Sequence, residues 1–146
     1  NPGGTFRFGI FVDTTADGYN LTVNNCDFKS SWSHAIYFQN KVDINPGTIR
    51  IANCRFTDWS KKEALDGKPG GYGSCVKVYG STIAGDGPLS NFASLTPRGQ
   101  AFVTSFFNSG NTWTMPAGYE ADPTDYTVLQ LAAKDETFIC FTEMPK

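Results

Sequence analysis

The residues with the clearest capacity for chemistry are four cysteines and a single histidine. The cysteines stand at positions 26, 54, 75 and 140, and the chain contains no Cys-x-x-Cys pair. Zinc sites built from cysteine and histidine need closely spaced ligand pairs, so neither a metal nor any other cofactor is expected. Free cysteine is among the most buried residue types, so Cys26 and Cys54 are predicted to be thiols of the core. An even number of cysteines also permits disulfides, and that alternative stays open.

Other common catalytic arrangements lack their motifs in this chain. No Gly-x-Ser-x-Gly elbow presents a serine nucleophile, and no two aspartates are adjacent. The glycine-rich residues 70–73 precede a predicted strand rather than a helix, so they do not form a phosphate-binding loop. The sequence therefore leans against an enzyme.

The composition is typical of a single all-β domain with many turns. The 146 residues include 12 Phe, 6 Tyr, 15 Gly and 8 Pro, and Val, Ile and Thr recur in short runs. Lysine and arginine are scattered singly in a chain of net charge −2, which argues against nucleic acid as a partner. No apolar run approaches the roughly 18 residues that span a bilayer, so membrane insertion is not expected. The opening residues "NPGG" indicate a fragment or a processed chain.

Period-two alternation of apolar and polar residues predicts eight strands. They cover residues 5–13, 21–23, 34–39, 48–52, 74–79, 101–107, 126–131 and 137–141. The last two read equally well as a continuation of the coils or as an antiparallel hairpin that turns at Lys134 and Asp135. Residues 58–67 allow one or two helical turns, and residues 80–99 show no pattern and are predicted to form an excursion loop. The single domain 1–146 would thus hold repeat-bearing coils over 1–80, a loop over 81–100 and C-terminal strands over 101–146.

Two stretches, "NLTVNNCDF" and "TIRIANCRF", repeat one another at a spacing of 28 residues. The shift aligns three identical pairs, which are Asn25 with Asn53, Cys26 with Cys54 and Phe28 with Phe56. It also sets Asp27 against Arg55, an opposite-charge pair that suits neighbouring strands. A period in the twenties is typical of a solenoid, in which each unit buries its interior against the next.

The pattern "TVNNCDFKSSWSHAIYFQN … TIRIANCRF" resembles the coils of right-handed parallel β-helix proteins of the pectate-lyase-like superfamily, over about residues 5–80. The resemblance implies three short parallel strands per coil and an asparagine at a tight bend that stacks on the asparagine of the next coil. Asn25 and Asn53 would form this structural ladder, and the repeated cysteines and phenylalanines would form stacked interior columns. Asparagine suits the bend because it tolerates a left-handed backbone and its amide can hydrogen-bond neighbours. The segment "AFVTSFFNSGNTW" would be a looser coil.

A second kind of strand, "FGIFVD", "HAIYFQN" and "SCVKVYG", alternates with the repeat. Alternation turns six of its side chains outward, namely Phe11, Asp13, Tyr37, Gln39, Lys77 and Tyr79. Stacked aromatic and hydrogen-bonding side chains suit sugars, whose rings have apolar faces and hydroxyl edges. These six residues and His34 are the predicted glycan-binding residues. The alternative is that a loop such as 80–99 covers the face and makes its aromatics a second core.

His34 bears on the alternative that the protein is an enzyme. "SHAIYFQN" resembles a strand start in the polygalacturonase branch of the superfamily, where a histidine lies by the catalytic site. That branch also needs paired aspartates, and Asp13 is the one carboxylate in the preceding strand here. A lyase would need clustered carboxylates for calcium, and no spacing fixes Asp13, Asp17 and Asp43 together. His34 is therefore predicted to be a bend residue rather than a catalyst.

Three functions remain open at this point. The first is a non-catalytic carbohydrate-binding, adhesive or structural module of a secreted, cell-surface or virion protein, built on a short parallel β-helix. The second is a polysaccharide lyase or glycoside hydrolase of the β-helix class, and the third is an antiparallel β-sandwich or jelly roll of a capsid or carbohydrate-binding domain. The missing carboxylate pair favours the first. The strands at the two open ends of such a coil would leave backbone N–H and C=O groups unpaired, so another chain or domain is expected to cover them. The expected partners are therefore a homo-oligomer such as a trimer, or a neighbouring chain or domain, in addition to a glycan surface.

Overall fold

The computed structural model describes residues 8–13, 20–39, 49–62, 64–65, 67–114, 116, 118–119 and 126–145. Within these residues the chain forms short strands of three or four residues and two α-helices. The strands are β1 (Ile10–Val12), β2 (Leu21–Asn24), β3 (Asp27–Lys29), β4 (Ile36–Gln39), β5 (Ile49–Ala52), β6 (Arg55–Thr57), β7 (Val76–Tyr79), β8 (Thr112–Thr114), β9 (Leu129–Ala132) and β10 (Phe138–Phe141). The helices are α1 (Ser81–Ala84) and α2 (Pro97–Phe107).

The strands form three sheets, which the chain visits in cyclic order from β1 to β7. The sheets are ordered β1-β4-β7-β9-β10, β2-β5 and β3-β6-β8. Among the described residues every strand pair is parallel except β9 with β10. The protein therefore consists mostly of strands in mixed, mostly parallel sheets, with few helices. This pairing differs from that of the antiparallel sandwich that the sequence left open.

The register of the parallel sheets confirms the 28-residue repeat. Strand β2 pairs with β5 so that Leu21 lies opposite Ile49, and β3 pairs with β6 so that Phe28 lies opposite Phe56. The Asp27 carboxylate and the Arg55 guanidinium form the predicted ion pair across β3 and β6, on the exposed side. The C-terminal hairpin is also confirmed, because β9 and β10 are antiparallel and are joined through a turn at residues 134–135.

The bends between β2 and β3 and between β5 and β6 have the predicted backbone but a different side-chain pairing. Asn25 (φ 57°) and Asn53 (φ 55°) are both left-handed, and Gly110 (φ 75°) takes the same position before β8. The predicted amide contact between Asn25 and Asn53 is wrong, since Asn53 Nδ2 donates to Asn24 Oδ1 at 3.1 Å. Asn25 Oδ1 accepts instead from Arg55 Nη1 at 3.1 Å. The side chain of Asn53 thus pairs with Asn24, one residue before the predicted partner Asn25.

The interior columns stack as the repeat predicts, and a third unit extends them. The rings of Phe28 and Phe56 are 5.1 Å apart and inclined by 9°. Cys54 is fully buried and Cys26 half-buried, and both are free thiols. The position after Gly110, which corresponds to the cysteine column, is occupied by the buried Asn111. Each repeat unit thus contributes one interior residue to each column.

Residues 101–107 are helical, so their predicted strand is wrong. They belong to α2, which begins after Thr96, whose hydroxyl oxygen accepts a hydrogen bond from Gly99 N at 3.0 Å. Phe102, Val103 and Phe106 are buried, a spacing that fits one helix face. Helix α2 packs against β5 and follows β7, where the cyclic order would place a third strand of the β2-β5 sheet.

Residues 80–99 are ordered in short elements rather than forming an open excursion loop. They include α1, a 3-10 turn at Phe92–Ser94 and the start of α2, with Ile83 buried in the core. The helical turns allowed over residues 58–67 are not formed in the part of that segment that the structure describes. Asp58 and Ser60 there have left-handed φ angles of 56° and 53°, which interrupt a right-handed helix.

Candidate functional site

One continuous row of side chains crosses the outer face of the five-stranded sheet. The row, called the outer row below, contains Phe11, Tyr37, Lys77, Gln130 and Cys140, which are neighbours on β1, β4, β7, β9 and β10. Its first three members are the residues that the sequence predicted. The last two were missed, although the alternation of β9 and β10 continues the same row.

An aromatic platform forms one end of the outer row. It consists of Phe8, Phe11 and Tyr37, with ring centroids 5.2 to 5.6 Å apart. Phe11 is 45% exposed, and Lys77 Nζ lies 5.2 Å from the centroid of the Tyr37 ring. Burial, with smaller contributions from Tyr79, Asp13 and Glu136, raises the pKa of Tyr37 to about 12. The Tyr37 hydroxyl therefore remains protonated at neutral pH and can donate a hydrogen bond.

A cleft of about 360 Å³ lies at the other end of the outer row. The residues that line it include Tyr72, Lys77, Thr127, Gln130, Phe138 and Cys140. Tyr72 and Phe138 are 49% and 57% exposed, whereas Gln130 is only 6% exposed. Lys77 lines the cleft and also lies over the Tyr37 ring of the platform, so the two features adjoin on one surface.

The second predicted column of outward residues is only partly accessible. Asp13 is exposed just after β1, and Gln39 is half-buried at the end of β4, opposite Tyr79. Tyr79 is only 8% exposed, and its side chain hydrogen-bonds Glu136. The prediction that Tyr79 is an open sugar contact is therefore wrong, because its outward register does not leave its ring accessible.

His34 lies beneath the site rather than on it. It is 3% exposed, and its Nδ1 accepts a hydrogen bond from Ser74 N at 3.1 Å, with Ser74 Oγ at 2.8 Å. Burial and, to a smaller extent, the charge of Lys77 lower the pKa of His34 to about 3, so the ring is neutral with its proton on Nε2. Its ring packs against Tyr37 and Tyr72, at 5.2 and 6.0 Å. His34 thus supports both aromatics, and the prediction that it contacts a glycan directly is wrong.

The segment 80–99, which could have covered the face, packs elsewhere. Leu89 N donates to Thr137 Oγ1 at 3.1 Å, and Lys134 N donates to Gly85 O at 3.1 Å. These contacts attach the segment to the turn between β9 and β10. They are consistent with the open position of Phe11, which is 45% exposed.

Further observations limit the chemistry of the described residues. No group of three or more His, Cys, Asp or Glu side chains among them could hold a metal ion. No helix in the part of the chain that the structure describes is long and apolar enough to cross a membrane. Comparison with protein-family models, curated proteins and solved structures found no match to this chain. The outer row and the cleft are surface features of the described residues that can bind a ligand.

Proposed function

We propose that the chain is a non-catalytic carbohydrate-binding or adhesive module built on a short right-handed parallel β-helix. The observation that carries the proposal is the outer row, which presents aromatic rings, an ammonium group and an amide side by side on one sheet face. Such a module belongs on a secreted, cell-surface or virion protein, where glycans are the accessible partners.

The β-helix part of the proposal is supported by the order of the strands. Parallel strands need crossover connections, and a coil of three strands supplies them when successive strands join three different sheets in turn. The sequence from β1 to β7 follows that order, and the left-handed asparagines mark equivalent bends one coil apart. Parallel crossovers are right-handed in nearly all proteins, which favours the right-handed form.

The glycan part of the proposal follows from the chemistry of the platform. Sugar rings combine apolar C–H faces with hydroxyl edges, and exposed aromatic rings next to hydrogen-bonding groups match both. Phe11 and Tyr37 supply ring faces, the Tyr37 hydroxyl can donate, and Lys77 can donate at the border of the platform. A rigid sheet holds these groups at fixed spacing, so little entropy is lost on binding.

Binding is favoured over catalysis because the outer row contains no carboxylate. Glycoside hydrolases use two carboxyl groups on either side of the scissile bond. The five residues of the outer row supply two aromatic rings, an ammonium group, an amide and a thiol. The buried neutral His34 hydrogen-bonds Ser74 and so does not supply the missing base.

The test is a glycan-array screen, followed by titration of the best oligosaccharide into wild type and variants. Phe11→Ala should weaken binding roughly 2- to 12-fold, the range that corresponds to a stacking contribution of about 0.5–1.5 kcal/mol. Phe11→Leu should also weaken binding, since it keeps apolar area but removes the ring. Arg50→Ala, which changes an exposed residue on β5 in a different sheet, is the matched control and should bind like wild type. Unchanged affinity in both Phe11 variants would refute the proposed face.

The same samples separate binding from catalysis. Incubation of the bound oligosaccharide with protein, followed by chromatography, should recover the oligosaccharide at its original length. Shortened or unsaturated products would instead support the lyase or hydrolase alternative.

The proposed partners include a second copy or a neighbouring domain at the β1-β2-β3 end. Each of these strands has one pairing neighbour among the described strands. Interior residues at this end, such as Ile10 and Phe28, are half-buried, whereas their neighbours Ile36 and Phe56 are fully buried. Light scattering should show a mass near three times 15.9 kDa if a trimer covers this end. A single-chain mass at high concentration would exclude the oligomer and leave the neighbouring domain.

A further inference from the structure

We propose that the cleft is a subsite for one anionic sugar residue, in which Gln130 and Lys77 bind the polar groups and Tyr72 and Phe138 flank the ring. The inference rests on the proposed glycan-binding function and names the class of sugar that this part of the surface accepts. The anionic group is a carboxylate or a sulfate, which present the same charge and acceptor oxygens.

Gln130 gives the strongest indication of a ligand. Its side chain lines the cleft although the residue is only 6% exposed. No described residue is recorded as a hydrogen-bond partner of its amide, and the amide is not among the side-chain groups that are both buried and unpaired, so it is open to the cleft. The amide has two donor hydrogens and an acceptor oxygen, which match a pair of sugar hydroxyl groups. A bound sugar would satisfy these groups.

Tyr72 and Phe138 give the cleft its apolar character. Both are large side chains that are about half exposed, and together they give the cleft an exposed apolar lining of the kind that often marks a binding surface. The Tyr72 ring is fixed from behind by Trp32, whose centroid lies 5.2 Å away in an edge-on arrangement. A volume of about 360 Å³ lies within the range of small-ligand sites and is enough for one substituted pyranose.

The charge of the cleft selects an anion. Lys77 is the one charged residue of its lining, and no Asp or Glu is among the lining residues that the structure describes. Because Lys77 also lies over Tyr37, a glycan chain can place one sugar on the platform and the next in the cleft. An anionic substituent on the second sugar would then meet the ammonium group from the cleft side.

The test uses the thiol of Cys140 as a reporter inside the cleft. Cys140 is exposed, whereas Cys54 and Cys75 are buried, so a maleimide should label Cys140 in preference to those two thiols. The probes are sodium glucuronate, glucose 6-sulfate, glucose and sodium sulfate at matched ionic strength, with the labelled residue identified by mass spectrometry. Glucuronate, glucose 6-sulfate or both should slow labelling of Cys140 at least threefold, and which of them acts identifies the anionic group. Labelling of Cys26 should not change.

Variants at exposed and buried positions keep the inference falsifiable. Gln130→Glu should abolish protection by anionic sugars, and Phe138→Ala, which changes a residue 57% exposed, should weaken it in a protein that folds normally. Lys77→Gln should remove protection and Lys77→Arg should retain it. Equal protection by glucose, equal protection by sodium sulfate alone, or no protection by any sugar would overturn the inference.

These outcomes are distinguishable from failure of the proposed function. If Phe11→Ala weakens oligosaccharide binding while anionic sugars leave Cys140 unprotected, the platform stands and the cleft inference fails. If anionic sugars protect Cys140 while Phe11→Ala and Phe11→Leu bind oligosaccharide like wild type, the platform fails and the cleft stands.

Discussion

Replacement of Asn111 by alanine should be among the most destabilising single changes in the protein. Its side chain makes three buried hydrogen bonds, which join the bend after β5, strand β5 itself and the end of α2. Cys54 N donates to Asn111 Oδ1, and Asn111 Nδ2 donates to Ile51 O and Phe106 O, all at 2.9 Å. Alanine would leave one backbone N–H and two backbone C=O groups without these partners. At about 1 kcal/mol or more for each group, the expected loss in free energy of unfolding is about 3–5 kcal/mol.

The assay is urea unfolding followed by tryptophan fluorescence, since Trp59 is buried and Trp113 lies on β8 next to this region. Asn108→Ala is the matched control, because Asn108 Nδ2 donates to Thr104 O at 2.9 Å but on the exposed side of α2. The control should cost less than about 1 kcal/mol, because water can replace the lost bond. Equal losses for Asn111→Ala and Asn108→Ala would refute the reasoning that Asn111 holds the helix end to the sheets.

Three further predictions concern the bends, the interior column and the buried histidine. Asn53→Ala should be about 1 kcal/mol less stable than Asn53→Gly, because φ is 55° and alanine resists the left-handed region; equal stabilities in urea would contradict this. Phe56→Ala should lower the free energy of unfolding by about 3–5 kcal/mol, and Phe28→Ala should lower it clearly less, because Phe56 is 1% exposed and Phe28 is half-buried. A larger loss for Phe28→Ala than for Phe56→Ala in thermal unfolding would contradict the stacking. The pKa of His34, the one histidine of the chain, falls from 6.5 to about 3 on folding. Between these pH values the unfolded state therefore binds more protons than the folded state, so the protein loses stability as the pH falls below about 6.5. Between pH 7 and pH 5 the free energy of unfolding should fall by about 2 kcal/mol. In His34→Asn, whose side chain can still accept a hydrogen bond from Ser74 N, most of this fall should disappear. An unchanged pH dependence in the variant would show that His34 is not the group responsible.

The strand pairing could be predicted from the sequence because the repeat is nearly exact where residues face the interior. Phe28 stacks on Phe56, and Asn25 and Cys26 occupy the same positions before β3 as Asn53 and Cys54 before β6, so a single shift fixes the register of two sheets. The third unit, "SGNTW", was harder to align, since Gly110 replaces the bend asparagine and Asn111 replaces the cysteine. Its equivalence is clear only from the hydrogen bonds of Asn111.

Helix α2 was missed because its residues are aromatic and β-branched, a composition that favours strands. The signal that could have found it lies upstream, where Thr96 precedes Pro97, an N-cap followed by a proline in the first turn. The buried spacing of Phe102, Val103 and Phe106 fits a helix as well as a strand over so few residues. Packing of this face against β5 decides between the two.

The candidate site was predicted in its register but not in its accessibility. The outward order of Phe11, Tyr37 and Lys77 follows from alternation alone. The burial of Tyr79 and His34 depends on neighbours far away in sequence, which alternation does not report. Gln130 had a usable signal, because it is the single polar residue of β9 and continues the row beyond Lys77.

Glycan binding by this sheet face is tested most directly by a map of amide chemical-shift changes as the best array oligosaccharide is titrated into the protein. The largest changes should cluster on β1, β4 and β7, around Phe11, Tyr37 and Lys77, and should continue to Gln130 when the oligosaccharide is anionic. Strand β5, including Arg50 on its separate sheet, should stay unchanged. Changes centred on β5, or binding that leaves β1, β4 and β7 unperturbed, would contradict the proposal that this sheet face binds glycans.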